Sequence, residues 1–262
     1  PMSSPIRAAF FDFDGTLLPF GAAALPASTV RALGRLRQNG VKVILATGRP
    51  PIHLPRMPML RAVTLDGYVM MNGQYCFDET GVFRELALPA AGMQALVDWL
   101  HTPAGQQELV CFVERDFSYL NRPIGPGPGP VEADTPVLDP ARALTHPTYQ
   151  LNAYLPPERE ANFLAHCPGC VAVRWCDTFA DILPAGGGKP AGLAAMLDHL
   201  GLRREESIAF GDGGNDISML EYAGVGVAMG NALPAVKAAA DYVTDSVDAD
   251  GVEKALQHFG LI

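Results

Sequence analysis

Short apolar runs alternate with amphipathic stretches at both ends of the chain. Ile6–Phe13, Val41–Ala46 and Tyr68–Met71 are apolar and rich in branched or aromatic side chains, the pattern of strands buried on both faces. Between the first two, Ser28–Asn39 sets Val30, Leu33 and Leu36 at helical spacing with charges between them. Ser28 predicts the start of that helix and Gly40 its stop. The rhythm returns late in the chain, with helices predicted over Lys189–Leu200, Asp216–Ala223, Pro234–Ala240 and Gly251–Phe259. Strands are predicted between them over Ser207–Phe210, Val225–Met229 and Tyr242–Thr244. Strand, helix, strand in this order predicts a doubly wound, mostly parallel α/β sheet.

The middle of the chain reads differently. Helices are predicted at Ala90–His101 and Pro157–His166, with strands at Leu109–Glu114, Gln150–Tyr154, Val171–Cys176 and Phe179–Leu183. Arg122–Pro130 alternates proline and glycine, which supports neither a helix nor a central strand and predicts an exposed loop. The simplest partition is a core built from residues 1–83 and 186–262, with a second α/β domain, residues 84–185, inserted between them. The hinges fall near Phe83–Leu86 and Pro184–Gly188.

Composition narrows the function. The 262 residues are 48% hydrophobic and 18% charged, enough to bury a sizeable core. Lys and Arg number 19 and Asp and Glu 28, a net charge of −9 that disfavours nucleic acid and anionic membranes as partners. The longest uncharged run, Gly15–Val30, is broken by Pro19, Gly21 and Pro26, so no membrane span is predicted. The first apolar stretch carries Asp12 and Asp14, unlike a secretory leader, and five cysteines is an odd number. A reduced, cytoplasmic protein is the expectation, as a monomer or small homo-oligomer.

The most informative segment is Phe10-Phe11-Asp12-Phe13-Asp14-Gly15-Thr16. In open α/β sheets the ligand crevice lies beyond the carboxyl ends of the strands, so Asp12 is placed in it. A turn permitted by Gly15 can bring Asp14 to the same pocket. Two adjacent carboxylates repel unless a cation lies between them or one holds a proton.

This string resembles the first motif of the haloacid dehalogenase-like (HAD) superfamily. Three further stretches fit in order: Thr47-Gly48-Arg49 after the second strand, Lys189 opening a helix after three glycines, and Gly211-Asp212-Gly213-Gly214-Asn215-Asp216 after a later strand. The α/β insert past Met71-Asn72-Gly73 resembles the large cap of the Cof-type subfamily, as do Val227–Ala232 and Asp241–Thr244. Gly213 departs from the family, which more often has serine there.

The resemblance implies a HAD-like catalytic core with an inserted cap, and a Mg²⁺-dependent phosphatase acting on a small phosphorylated metabolite. It implies Asp12 as the nucleophile that becomes an aspartyl-phosphate and Asp14 as acid and then base. Thr47 and Lys189 would hold the phosphoryl oxygens. Mg²⁺ would take Asp12, Asp212 and the main-chain carbonyl of Asp14, with Asp216 holding Lys189 or a metal-bound water. Gly48, Arg49, Asn72 and Asn215 complete the substrate-binding expectation. A phosphomutase would use the same aspartates, and a non-catalytic phosphometabolite-binding protein is the rival from outside enzymology. In the insert, Asn152, Arg174 and Asp177 are the candidates for reading the leaving group.

Two other motifs carry weaker signals. Cys167-Pro168-Gly169-Cys170, with Cys176 beyond, invites a zinc or redox reading, but it suits a tight turn better than a zinc site, which needs four ligands, and better still than a redox pair. Gly186–Lys189 is not a nucleotide P-loop: Leu183 stands where its first glycine belongs, and Pro190 replaces the Ser or Thr.

Overall fold

The computed structural model describes residues 5–124 and 135–262, so part of the Pro/Gly loop lies outside the described residues. The chain forms two compact units. The first comprises the chain up to Arg49, His53–Glu85 and Gly188–Ile262, and the second Leu86–Gly187 with the short stretch Pro50–Ile52. No helix among the described residues is long and apolar enough to cross a membrane.

In chain order the first unit begins with β1 (Ala8–Phe11), α1 (Ala27–Gln38), β2 (Lys42–Ala46), β3 (Gly67–Met70), β4 (Tyr75–Asp78) and β5 (Gly81–Glu85). The second contains α2 (Ala90–Leu100), β6 (Val110–Val113), β7 (Ser118–Leu120), β8 (Gln150–Ala153), α3 (Pro157–Ala165), β9 (Cys170–Val173) and β10 (Ala180–Pro184). The chain returns to the first unit through α4 (Lys189–His199), β11 (Ser207–Gly211), α5 (Ile217–Tyr222), β12 (Val225–Ala228), α6 (Pro234–Ala239), β13 (Tyr242–Val243) and α7 (Gly251–His258).

The first unit is one eight-stranded sheet in the order β13-β12-β11-β1-β2-β3-β4-β5, parallel from β13 to β3. β1 is fully buried because both of its faces are covered: Phe10 packs with Ile44, Leu193 and Met196, while Phe11 packs with Leu33, Leu45 and Phe210. The Phe11 and Phe210 rings stack at 4.7 Å on adjacent strands. Burying side chains of this size contributes about 1.5–3 kcal/mol each, which fixes the register of the central strands and so the position of their ends.

Several sequence expectations shift. The residue before α1 is Pro26, not Ser28; Ser28 lies inside the helix with its hydroxyl buried and no hydrogen-bond partner. Proline's fixed φ pre-sets this entry. α5 starts at Ile217, because Gly214–Asp216 forms a 3₁₀ turn ahead of it. The antiparallel pair β4–β5 occupies part of the stretch read as a hinge. β5 is largely exposed, with no apolar alternation to announce it.

The second unit is an antiparallel five-stranded sheet, β7-β6-β8-β10-β9. Its core gathers Phe112, Leu151 and Ile182 with Leu96 and Leu100 of α2 and Phe163 of α3. β9 ends at Val173, short of the strand expected through Cys176, because the next residue, Arg174, turns to Glu160 and the Leu155 carbonyl.

Candidate active site

The register places the candidate residues. Phe11 faces Leu45 of β2 on one side and Phe210 of β11 on the other. The next residues, Asp12, Ala46–Thr47 and Gly211–Asp212, therefore lie together at the same carboxyl edge, where open α/β sheets bind ligands. Asp12 is tied there by its N–H to the Phe210 carbonyl, 3.0 Å.

After Asp12 the chain turns back tightly. The N–H groups of Leu17 and Leu18 both donate to the Phe13 carbonyl, and Gly15 adopts φ +83°. A Cβ on Gly15 would lie 2.2 Å from Asp212 Oδ2, so glycine is required both for the turn and for the approach of that carboxylate. Thr16 donates to Asp212 Oδ1 at 2.9 Å. Asn231 donates to the Gly15 carbonyl at 2.9 Å and accepts from the Val247 N–H at 3.0 Å, bracing the loop from behind. Thr16 and Asn231 lie inside stretches quoted for the resemblance, but neither was assigned a role from the sequence. Nothing in one sequence shows that an amide faces two ways.

Lys189 opens α4 behind Gly188, whose φ is +99°. Its side chain is wholly buried, and its Nζ donates to Asp12 Oδ1 at 2.6 Å and Asp216 Oδ1 at 2.5 Å. The other oxygen of Asp216 accepts the N–H groups of Asp212 and Gly213 at 3.0 and 2.9 Å. Asp216 thus holds Lys189 and shapes the loop carrying Asp212. Carboxylate oxygens of Asp12, Asp212 and Asp216 lie within 4.8 Å of one another, a group of three with one ammonium against it.

The electrostatics follow. Burial, then the negative charges of Asp216 and Asp212, push the Asp12 carboxyl well above the usual carboxylate range, although Lys189 pulls it down. Asp212 is pushed up to about 7, by burial and then by Asp216, against its bond from Thr16. Burial disfavours the Lys189 ammonium, but Asp12 and Asp216 overcome it and hold its pKa above the ordinary lysine value. Clustered anionic oxygens raised in this way fit a hard divalent cation, which prefers oxygen ligands and would relieve their repulsion.

The remaining predicted residues line the same edge. Thr47 directly follows β2; its N–H donates to the Val69 carbonyl at 2.9 Å and its hydroxyl accepts from the Arg49 N–H at 3.2 Å. Asn215 donates to the Asn72 amide oxygen at 3.2 Å, and the Asn72 amide stands over Gly48, 3.1 Å from where a Cβ would lie. Asn72 and its neighbour Met71 both have left-handed backbones, φ 52° and 50°. Such strain persists only where the surroundings impose it, and it clusters at functional sites. The Asp14 carboxylate lies outside the three-acid cluster. Arg49 grips it with two bonds of 2.8 Å while its guanidinium rests 5.4 Å from the Phe13 ring centre. That pairing has no signal in the sequence, because no local spacing couples side chains 35 residues apart.

A sheet of this order, with carboxylates and one buried lysine gathered at the carboxyl ends of its central strands, defines an α/β enzyme core with a reactive crevice. Comparison with known proteins specifies it. A family model described as haloacid dehalogenase-like hydrolase matches residues 9–256. The chain is 32% identical over 256 residues to the putative phosphatase YkrA of Bacillus subtilis (strain 168), covering 97% of each. It is 31% identical over 264 residues to the pyridoxal phosphate phosphatase YbhA of Escherichia coli (strain K12), covering 94% of this chain and 96% of that one. Among solved structures, the phosphatase BT1666 from Bacteroides thetaiotaomicron superposes with a TM-score of 0.88 at 34% identity, covering 100% of this chain and 98% of that one. The chain belongs to the haloacid dehalogenase-like hydrolase family, as a Cof-type member.

Proposed function

We propose that this protein is a Mg²⁺-dependent phosphatase that cleaves a small phosphorylated metabolite through an aspartyl-phosphate on Asp12. The coarser assignment, a phosphoric monoester hydrolase, rests on the family and on the named phosphatases among its relatives. The observation that carries the finer reading is the buried cluster of Asp12, Asp212 and Asp216 around Lys189.

Bound Mg²⁺ would supply charge neutralisation at Asp12, Asp212 and the main-chain carbonyl of Asp14, easing the approach of a carboxylate to an anionic phosphoryl group. The chain's own residues supply the rest. An Asp12 oxygen attacks phosphorus and carries the group as an acyl phosphate. Lys189, held at 2.6 Å from Asp12, neutralises charge on the transferring oxygens, and the Thr47 hydroxyl donates to them. Asp14 gives its proton to the leaving oxygen and later takes one from the attacking water. Because Arg49 holds both Asp14 oxygens, the proton can sit on Asp14 only once that grip loosens. An anionic substrate is one group that can draw Arg49 away. The insert, residues 86–187, would read the leaving group.

The relatives' names give the substrates to try first, pyridoxal phosphate among them. The test is release of inorganic phosphate from a panel of pyridoxal, sugar and nucleoside monophosphates, with Mg²⁺ and with chelator. Release that depends on Mg²⁺ and needs no bisphosphate activator is expected. Undiminished hydrolysis in chelator would overturn the metal assignment, and phosphoryl return to a second substrate hydroxyl would indicate a mutase.

A further inference from the structure

Two cysteines outside the candidate active site come together in a way their spacing did not require. Cys167 follows the end of α3 and Cys170 opens β9. Between them the chain turns through Pro168 and Gly169, the latter at φ +81°, with the Cys170 N–H donating to the Cys167 carbonyl at 3.2 Å. The two side chains point at one another, the Cys167 thiol donating to the Cys170 sulfur at 3.3 Å. A tight turn needs the backbone bond and the glycine; it does not need two thiols in contact.

The other sulfurs differ. Cys76 and Cys111 are buried, and burial pushes both thiols up to about 12, so neither is a nucleophile near neutral pH. Cys176 pairs with the Thr178 hydroxyl at 3.2 Å. A zinc reading lacks ligands here. The nearest histidine in sequence, His166, stacks its ring on Trp99 at 4.2 Å, and no three-residue metal group includes these cysteines among the described residues.

We propose that Cys167 and Cys170 form a reversible redox site, closing to an intramolecular disulfide by exchange with a small-molecule disulfide of the glutathione class. Cys170 attacks. It is the half-buried member, and the bond from Cys167 lowers its pKa, whereas Cys167 is fully buried and its pKa is raised. The Cys170 thiolate bonds to one glutathione sulfur, the glutathione disulfide breaks, and the first glutathione leaves as a thiolate that takes up the proton Cys170 lost. The Cys167 sulfur then attacks Cys170 and expels the second glutathione, which takes the Cys167 proton. Two electrons pass from the cysteine pair to glutathione disulfide, which leaves as two thiols. The bond ties the end of α3 to the start of β9, at the turn whose Gly169 carbonyl accepts the Ala185 N–H beyond β10.

The full chain, equilibrated in buffers of stepped glutathione to glutathione-disulfide ratio, is acid-quenched, unfolded, alkylated and mapped by mass spectrometry. The expected result is loss of two hydrogens with a peptide linking Cys167 to Cys170, while Cys76, Cys111 and Cys176 remain alkylated. The linked form should return to two alkylated thiols when reduced glutathione is restored. In Cys167→Ser the exchange should stop halfway, leaving one glutathione on Cys170. Both thiols staying reduced in the most oxidising buffer would overturn the proposal, as would oxidation confined to Cys176. So would joint protection of the pair by added Zn²⁺ without oxidation. If the variant does not fold, the wild-type measurement decides.

Discussion

The two units bury charge in opposite ways. In the antiparallel unit the buried Glu108 and Glu114 and the half-buried Glu160 each meet one arginine: Glu108 with Arg159, Glu114 with Arg142 through two bonds of 2.7 and 3.0 Å, and Glu160 with Arg174 at 2.5 Å. Each pair is formally neutral. In the parallel unit three buried acids share one lysine. Neutral pairs offset their own desolvation and hold a fold together, whereas an unbalanced cluster costs stability and persists where a ligand or a reaction uses it. Charge balance therefore marks which buried polar groups are structural.

The largest expected effect tests the cluster directly. Asp12→Asn keeps the size and removes the proposed nucleophile, so phosphate release should fall by ~10⁴-fold or more while the far-ultraviolet circular dichroism is unchanged. Turnover within tenfold of the wild type would remove the covalent mechanism.

Next comes the one cation. Lys189→Met leaves the carboxylates with no counter-charge, and the metal-free protein should lose about 3–5 kcal/mol, measured by urea unfolding in chelator. The same change in the presence of Mg²⁺ should cost less, because carboxylates freed of the ammonium bind the cation more tightly and the variant therefore gains more from it than the wild type. Absence of any Mg²⁺-dependent stabilisation in both proteins would show that the cluster does not take the ion.

How far these residues were legible follows from the same contrast. Asp12, Thr47, Lys189 and Asp212 each stand where an apolar strand ends or a helix begins, and parallel strands buried on both faces announce themselves as continuous apolar runs. Their shared edge follows from topology once the strands are recognised. The grip of Arg49 on Asp14 is not legible in the sequence, since the two lie 35 residues apart and no local spacing couples them. The left-handed Met71 and Asn72 carry no glycine signal. β5 hid because its exposed edge alternates weakly, and β7 because three residues make no pattern. In the insert, partners such as Glu114 and Arg142 are brought together by folding alone, and no local spacing couples them.

A smaller effect concerns pH. With the Asp212 carboxyl pushed up to about 7 from an ordinary value of 3.8, its contribution to stability is present below the ordinary value and lost as pH rises through 7. The metal-free protein should therefore be penalised at pH 8 relative to pH 5. Asp212→Asn should remove that penalty, so its gain over the wild type should be about 2–3 kcal/mol larger at pH 8 than at pH 5, by thermal melts in chelator. The variant should also lose its response to Mg²⁺. Parallel pH profiles for the two proteins would show that the carboxyl is not raised.

The smallest effect sharpens the other side of the comparison. Arg174 was a candidate for reading the leaving group, yet its Nε is held by Glu160 and one Nη by the Leu155 carbonyl at 3.1 Å. Its second Nη is buried with no hydrogen-bond partner. Arg174→Met gives up a partly buried pair but also removes that orphaned donor, so the two changes oppose each other and the net loss should be only about 1 kcal/mol. Two of its nitrogens are bound and the third is buried, so the guanidinium offers no exposed donor to a substrate, and kcat/KM on the best substrate of the panel should stay within about threefold, under 1 kcal/mol in transition-state binding. A tenfold rise in KM with kcat unchanged would instead make Arg174 a specificity residue, and a formally neutral pair would then no longer mark a structural role.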